Sequence, residues 1–241
     1  ASGRRPEGMA VARTAHGRMP EDHEIQAWPG SLLLDVGEAV LAAEHLGKAL
    51  ATGAAPPFAR IRHAEALSRS GRKAESVAEA RRTLDEPPVA PPVRALVGYL
   101  LIQGDEVAEG ETLLIEAIEA DPDNPGLRLL HSAAYGDSGR RAEAILAAQA
   151  AAEAMPDNVA ILARYGPLPP LAAQPATARP ASTRAPELDP DHLNAWLGLC
   201  EAARLCKRFK EAIAAFRKLG ELGADEQPIR LQRYRLFGES L

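Results

Sequence analysis

The sequence predicts an all-α fold, a solenoid of stacked helix-turn-helix units, on three observations. Prolines stand at Pro88, Pro122, Pro156 and Pro190, each 34 residues after the last, three of them inside near-copies of one phrase, ADPDN, AMPDN and LDPDH. Small residues keep the same period. One register reads Gly30, Ala64, Gly98, Ser132, Gly166, Cys200; twelve residues on it reads Ala42, Ser76, Gly110, Ala144, Ala178, Ala212; a third reads Ala49, Thr83, Ala117, Ala151, Ala185, Leu219. Finally, aromatics are 4% of the 241 residues and alanine supplies much of the apolar content. Alanine has the best helix propensity and lets helix axes approach closely. Self-similarity at a fixed period of this length marks a repeat architecture.

Each element of the unit has a physical reason. Small residues in two registers, one per half-unit, predict two antiparallel helices that cross closely. The proline ends the second helix, because its ring cannot continue a helix interior. Asp or Asn in the phrase that follows caps the next helix by accepting orphan N–H bonds. Gly37, Gly71 and Gly139 fall where a helix C-terminal cap separates the pair. The units are 23–56, 57–90, 91–124, 125–158, 159–192 and 193–226, with no alternating Val/Ile/Thr/Tyr runs to suggest a sheet.

Four stretches depart from the rule. Residues 1–22 read as a disordered tail. Trp28-Pro29-Gly30 inside the first helix of unit one predicts a break there or a late start near Ser31. Residues 167–186 hold six prolines in twenty positions and no acid, which predicts irregular backbone, poor local packing and a division into a four-unit block and a weaker block after it. Residues 227–241 offer Ile229, Leu231, Tyr234, Leu236 and Phe237 for one apolar helix face, the expected C-terminal capping helix of a solenoid.

The last full unit, NAWLGLCEAARLCKRFKEAIAAFRKLGEL, resembles the tetratricopeptide repeat pattern. Trp196, Leu199, Cys200 and Ala203 match its first-helix positions, and Ala212, Phe216 and Leu219 its second-helix positions. Ser132, Tyr135, Ala144, Ala151 and Pro156 match in the fourth unit; Arg60, Arg94 and Arg128 depart from it by standing where Trp is usual. The resemblance implies about six repeats in a right-handed superhelix, with first helices lining a concave face. The family's inward positions fall on Phe58, Ile61, Glu65 and Arg69 in unit two, on Tyr99, Ile102 and Gln103 in unit three, and on Asn194, Leu197, Glu201 and Arg204 in unit six. The Lys/Asn/Arg set with which chaperone-tail binders clamp a terminal carboxylate is missing, since Ile61, Glu65 and Leu130 occupy such places. The function implied is a non-enzymatic adaptor that binds a peptide or partner domain in that groove. A second reading is the regulatory arm of a larger glycosyltransferase, sulfotransferase or secretion assembly.

Composition and motifs bear on the remaining classes. The net charge is −5 and no basic face is apparent, which argues against nucleic acid; Arg4, Arg5, Arg13 and Arg18 against Glu7 are a local exception in the tail. No apolar run reaches the ~18 residues a membrane span needs. Histidines at 16, 23, 45, 63, 131 and 192 show no His-Glu-x-x-His spacing, and Cys-x-x-Cys, phosphate-binding glycine loops and Gly-x-Ser-x-Gly are absent. Neither a metal, a cofactor nor a catalytic residue is therefore expected; His63 and His131 share one register and read as packing residues. Cys200 and Cys206 lie six apart on one helix, on separated faces and about 9 Å apart along its axis. That exceeds the ~7 Å Cα separation a disulfide tolerates. Free thiols favour a reducing compartment, the cytoplasm; a leader removed ahead of Ala1 would place the chain in the periplasm instead.

Overall fold

A computed structural model describes residues 23–53, 55, 57–85, 88–165 and 175–223. The tail 1–22 and the capping segment 227–241 lie outside them. The described residues form twelve helices and no strand. In order they are α1 (His23–Asp35), α2 (Ala39–Ala51), α3 (Pro57–Arg69), α4 (Lys73–Thr83), α5 (Pro91–Gln103), α6 (Val107–Ala120), α7 (Pro125–Asp137), α8 (Arg141–Ala154), α9 (Val159–Tyr165), α10 (Pro175–Leu188), α11 (Leu193–Leu205) and α12 (Phe209–Glu221). Consecutive helices pair as hairpins, and the first helices begin at His23, Pro57, Pro91, Pro125, Val159 and Leu193, 34 residues apart. Proline suits the first helical position, where its missing N–H would be unpaired anyway. Two compact units divide the chain, Ala1–Asp121 and Pro122–Leu241, with three hairpins each.

The turn inside each hairpin repeats in atomic detail. Gly37, Gly71 and Gly139 adopt positive φ, at 88°, 84° and 78°. The next residue's N–H then bonds back five residues: Glu38 to the Leu33 carbonyl (2.8 Å), Arg72 to Leu67 (2.9 Å) and Arg140 to Tyr135 (2.9 Å). This 6→1 bond is the Schellman closure, and it needs a left-handed residue before it. Asp105 (φ 72°) and Lys207 (φ 56°) hold that place in two other hairpins, where Glu106 bonds to Leu101 (2.9 Å) and Arg208 to Ala203 (2.7 Å).

The small-residue registers meet at the helix crossings. Ser76 Oγ donates to the Ala64 carbonyl (2.7 Å), Ser132 Oγ to Ala144 (3.1 Å) and Cys200 Sγ to Ala212 (3.5 Å). In the α5/α6 hairpin the pair is Gly98 and Gly110. A Cβ on Gly98 would lie 2.6 Å from the Gly110 carbonyl oxygen, and one on Gly110 would lie 2.5 Å from that of Gly98. Gly30 meets Leu46 instead, whose Cγ a Cβ would approach to 2.6 Å; Gly166 lies outside the described residues. Side chains of the third register, Ala49, Thr83, Ala117, Ala151, Ala185 and Leu219, are all buried.

The last residue of the recurring phrase caps the helix that follows. Asn124 Oδ1 accepts from the Gly126 N–H (3.0 Å) and Asn158 Oδ1 from Ile161 (3.2 Å). In the third copy His192 takes this place, its Nδ1 accepting from Ala195 (3.2 Å).

Three expectations are corrected. Helix α1 runs through Trp28-Pro29-Gly30 without a break. Pro29 is fully buried, and Ala27, Leu33 and Leu34 join a core with α2 and α3; this burial works against the ~3 kcal/mol an interior proline costs. Residues 175–186 are helical rather than irregular, as part of α10, while 167–174 lie outside the described residues. Ser182 and Ala185 are buried, Ala185 in one cluster with Ala148, Leu162, Ala163 and Ala195. Packing on α9 and α11 thus overrides poor intrinsic propensity, as tertiary context commonly does. The boundary between the compact units falls between Asp121 and Pro122, not at the proline-rich stretch.

Candidate protein-interaction face

Phe58, Arg62, Glu65 and Arg69 follow one another at helical spacing along one face of α3, the face turned toward α1. The Phe58 ring meets Trp28 of α1, with centroids 5.5 Å apart and planes inclined by 58°. Tilted aromatic pairs of this separation are favourable beyond their buried area. Phe58 is partly buried on the α1–α3 core, whereas Trp28 stays 56% exposed.

Below the aromatic pair is a lattice of charge. Arg62 ion-pairs with Asp35, its Nη1 donates to Glu65 Oε2 (3.1 Å) and its Nη2 to the Ser31 carbonyl (3.4 Å). Arg69 Nη2 meets Glu65 Oε1 (2.5 Å) and its Nη1 reaches the Leu34 carbonyl (3.5 Å). Partial burial works against the Arg62 charge, yet the hydrogen bond to Asp35 and the nearby Glu65 hold its pKa above the usual value. Two arginines therefore staple α3 to the backbone of α1 while neutralising Glu65 between them.

The other residues expected on this face divide. Ile61 is 5% exposed and sits in the core with Ala64, Val77, Ala80 and Val97, so it supports the face and offers no contact surface. Ile102 is fully buried too. On α5, Tyr99 packs half-buried against the same core and Gln103 is half-buried. In the second compact unit α11 exposes Asn194 and half-buries Leu197. Arg204 there clasps Glu201 with two bonds, Nε to Oε2 (3.1 Å) and Nη2 to Oε1 (2.8 Å). Trp28, Asp35 and Arg62 are additions that the sequence reading missed. The spacing of Phe58, Arg62, Glu65 and Arg69 could have found Arg62; Trp28 was hidden by the break expected at Pro29.

Cys200 is buried and Cys206 exposed, both as free thiols. Burial pushes the Cys200 pKa up to about 11, with the Glu201 charge adding to it. Among the described residues no group of three or more His, Cys, Asp or Glu could hold a metal ion, and no helix is long and apolar enough to cross a membrane.

Antiparallel helix pairs that restart every 34 residues around small-residue crossings define the class, a helical-hairpin repeat protein. No protein-family model matches the sequence, and no curated protein matches it. Solved structures do. A tetratricopeptide repeat protein from Parabacteroides merdae is similar with a TM-score of 0.57 at 14% identity, covering 98% of this chain and 93% of that one. The C-terminal part of a TPR repeat-containing protein from Cytophaga hutchinsonii gives 0.52 at 12% identity, covering 95% of each. A chain of the APC/C hetero-tetramer Cut9–Hcn1 gives 0.58 at 14%, covering 98% of this chain and 46% of that one. The chain shares the fold of these tetratricopeptide repeat proteins.

Proposed function

We propose that the chain is a non-catalytic scaffold holding a protein or peptide against the first helices of its hairpins. The observation that carries this is Trp28. A large aromatic more than half exposed, braced by Phe58 and rimmed by internally paired charges, has the make-up of an interface anchor with a polar rim. Phe58, Glu65, Arg69, Tyr99 and Gln103 would supply contacts in the first compact unit, and Asn194, Leu197, Glu201 and Arg204 in the second. A repeat array suits this role because stacked units offer an extended surface rather than a closed pocket.

Panning a random peptide display library against the chain tests the reading. Trp28 and Trp196 are the two tryptophans, so Trp196→Phe leaves Trp28 as the sole reporter. Selected peptides should shift its emission saturably, and by calorimetry Trp28→Ala should weaken them by more than about 1 kcal/mol. Peptides that bind with neither effect would move the interface elsewhere; no enrichment at all would remove the peptide-binding reading.

A further inference from the structure

The seam between the α1/α2 hairpin and the α3/α4 hairpin contains a titratable group that its surroundings serve poorly. His63 lies on α3 with its ring against α2, where a Cβ on Gly47 would come within 3.3 Å of Nε2. Its Nδ1 points toward α4, 3.9 Å from Glu79 Oε2. That is too long for a hydrogen bond, and Nδ1 is buried without a hydrogen-bond partner.

Glu79 is already engaged. Its Oε2 accepts from Arg60 Nη1 (3.1 Å) and its Oε1 from Arg82 Nη1 (2.6 Å). The other charges acting on the ring are Glu75 on α4 and Arg72 at its cap, which bond to each other. From α2 the ring meets Gly47, which has no side chain to accept a proton's bond. A proton on His63 would thus place a third cation around one carboxylate, with ring and carboxylate only 15% and 14% exposed. The seam has small reserves against this, since six of the ten buried residues of its core are alanines.

We propose that protonation of His63 loosens this seam, so that the first hairpin and the face it shares with α3 respond to acid. Burial lowers the His63 pKa, with Glu79 pulling the other way and Arg72 reinforcing the fall. The unfolded chain therefore takes the proton first. The ring's contribution to stability is complete above the ordinary value of about 6.5 and declines as pH falls through it toward the lower folded value. Arg62 and Arg69 still tie α3 to the α1 backbone, so the seam loosens and does not release.

Hydrogen exchange read by mass spectrometry, corrected for intrinsic rates, tests this at about pH 7.5 and about pH 5.5, either side of the ordinary histidine value. Peptides covering 39–51 and 57–69 should lose protection several-fold relative to 107–120 on acidification, and His63→Gln should flatten the difference. Should that variant be unprotected at both pH values, the imidazole of the unaltered chain is followed by NMR instead. A midpoint below about 6.5 that tracks the loss of protection supports the proposal. Equal pH dependence in both chains, or a midpoint at or above the ordinary value, overturns it.

Discussion

Ser76 Oγ lies 2.7 Å from the Ala64 carbonyl oxygen and donates to it, from the second helix of one hairpin onto the backbone of the first. The direction reverses in the α7/α8 hairpin, where Ser132 of the first helix donates to Ala144 of the second. What the register conserves within this chain is thus a close crossing, filled by a short donor or by nothing. Ser76→Ala should cost about 0.5–1.5 kcal/mol, the net worth of one hydrogen bond. The larger Ala144→Leu should cost about 1–3 kcal/mol by overpacking. Urea denaturation checks both; an unchanged midpoint for Ala144→Leu would refute the crossing.

Lys207 carries the left-handed conformation that glycine carries in three other hairpins. A left-handed residue with a Cβ is strained by roughly 1–2 kcal/mol, so Lys207→Gly should raise the melting temperature. Asp105→Gly should gain less, because Asp tolerates this region better. A fall in melting temperature for Lys207→Gly would contradict the turn geometry.

The two thiols should separate kinetically. Cys206 is exposed, whereas Cys200 is buried with its pKa near 11 and its Sγ directed at the Ala212 carbonyl. Thiolate is the reactive form. A thiol reagent at neutral pH should therefore modify one cysteine quickly and the second only on unfolding. Two equal fast phases would show that the α11/α12 crossing is open.

Helix α10 retains Pro180 in its interior. Pro180→Ala restores a backbone donor, and proline is roughly 3 kcal/mol worse than alanine in a helix interior. The variant should be more stable and more helical by circular dichroism. Lower helicity would mean that the proline-rich stretch is not a helix in solution.

Much of this fold was legible because a solenoid writes its geometry as a period. Gly71, Gly98, Ser132 and Asn124 each announced a turn, a crossing or a cap by chemistry that few other residues share. Helix α10 was illegible because packing of Ala185 and Ser182, which no local pattern displays, outweighed the prolines. Asp105 and Lys207 hide their left-handed turns behind ordinary side chains. The interaction face was read less well. Ile61 looked available by position but lies in the core, and the Trp28–Phe58 contact joins residues 30 positions apart, beyond any local signal.

Gly98→Ala, measured beside Gly220→Ala, probes the helix crossing itself, because helix propensity alone says that both should stabilise by up to about 1 kcal/mol. At Gly220 a Cβ meets nothing within 4 Å, whereas at Gly98 it meets the Gly110 carbonyl oxygen at 2.6 Å and Leu114 Cγ at 3.0 Å. Chemical denaturation should therefore give opposite signs: a gain for Gly220→Ala and a loss of about 1–3 kcal/mol for Gly98→Ala. A Gly98→Ala variant as stable as the unaltered chain would contradict the close crossing on which the 34-residue repeat rests.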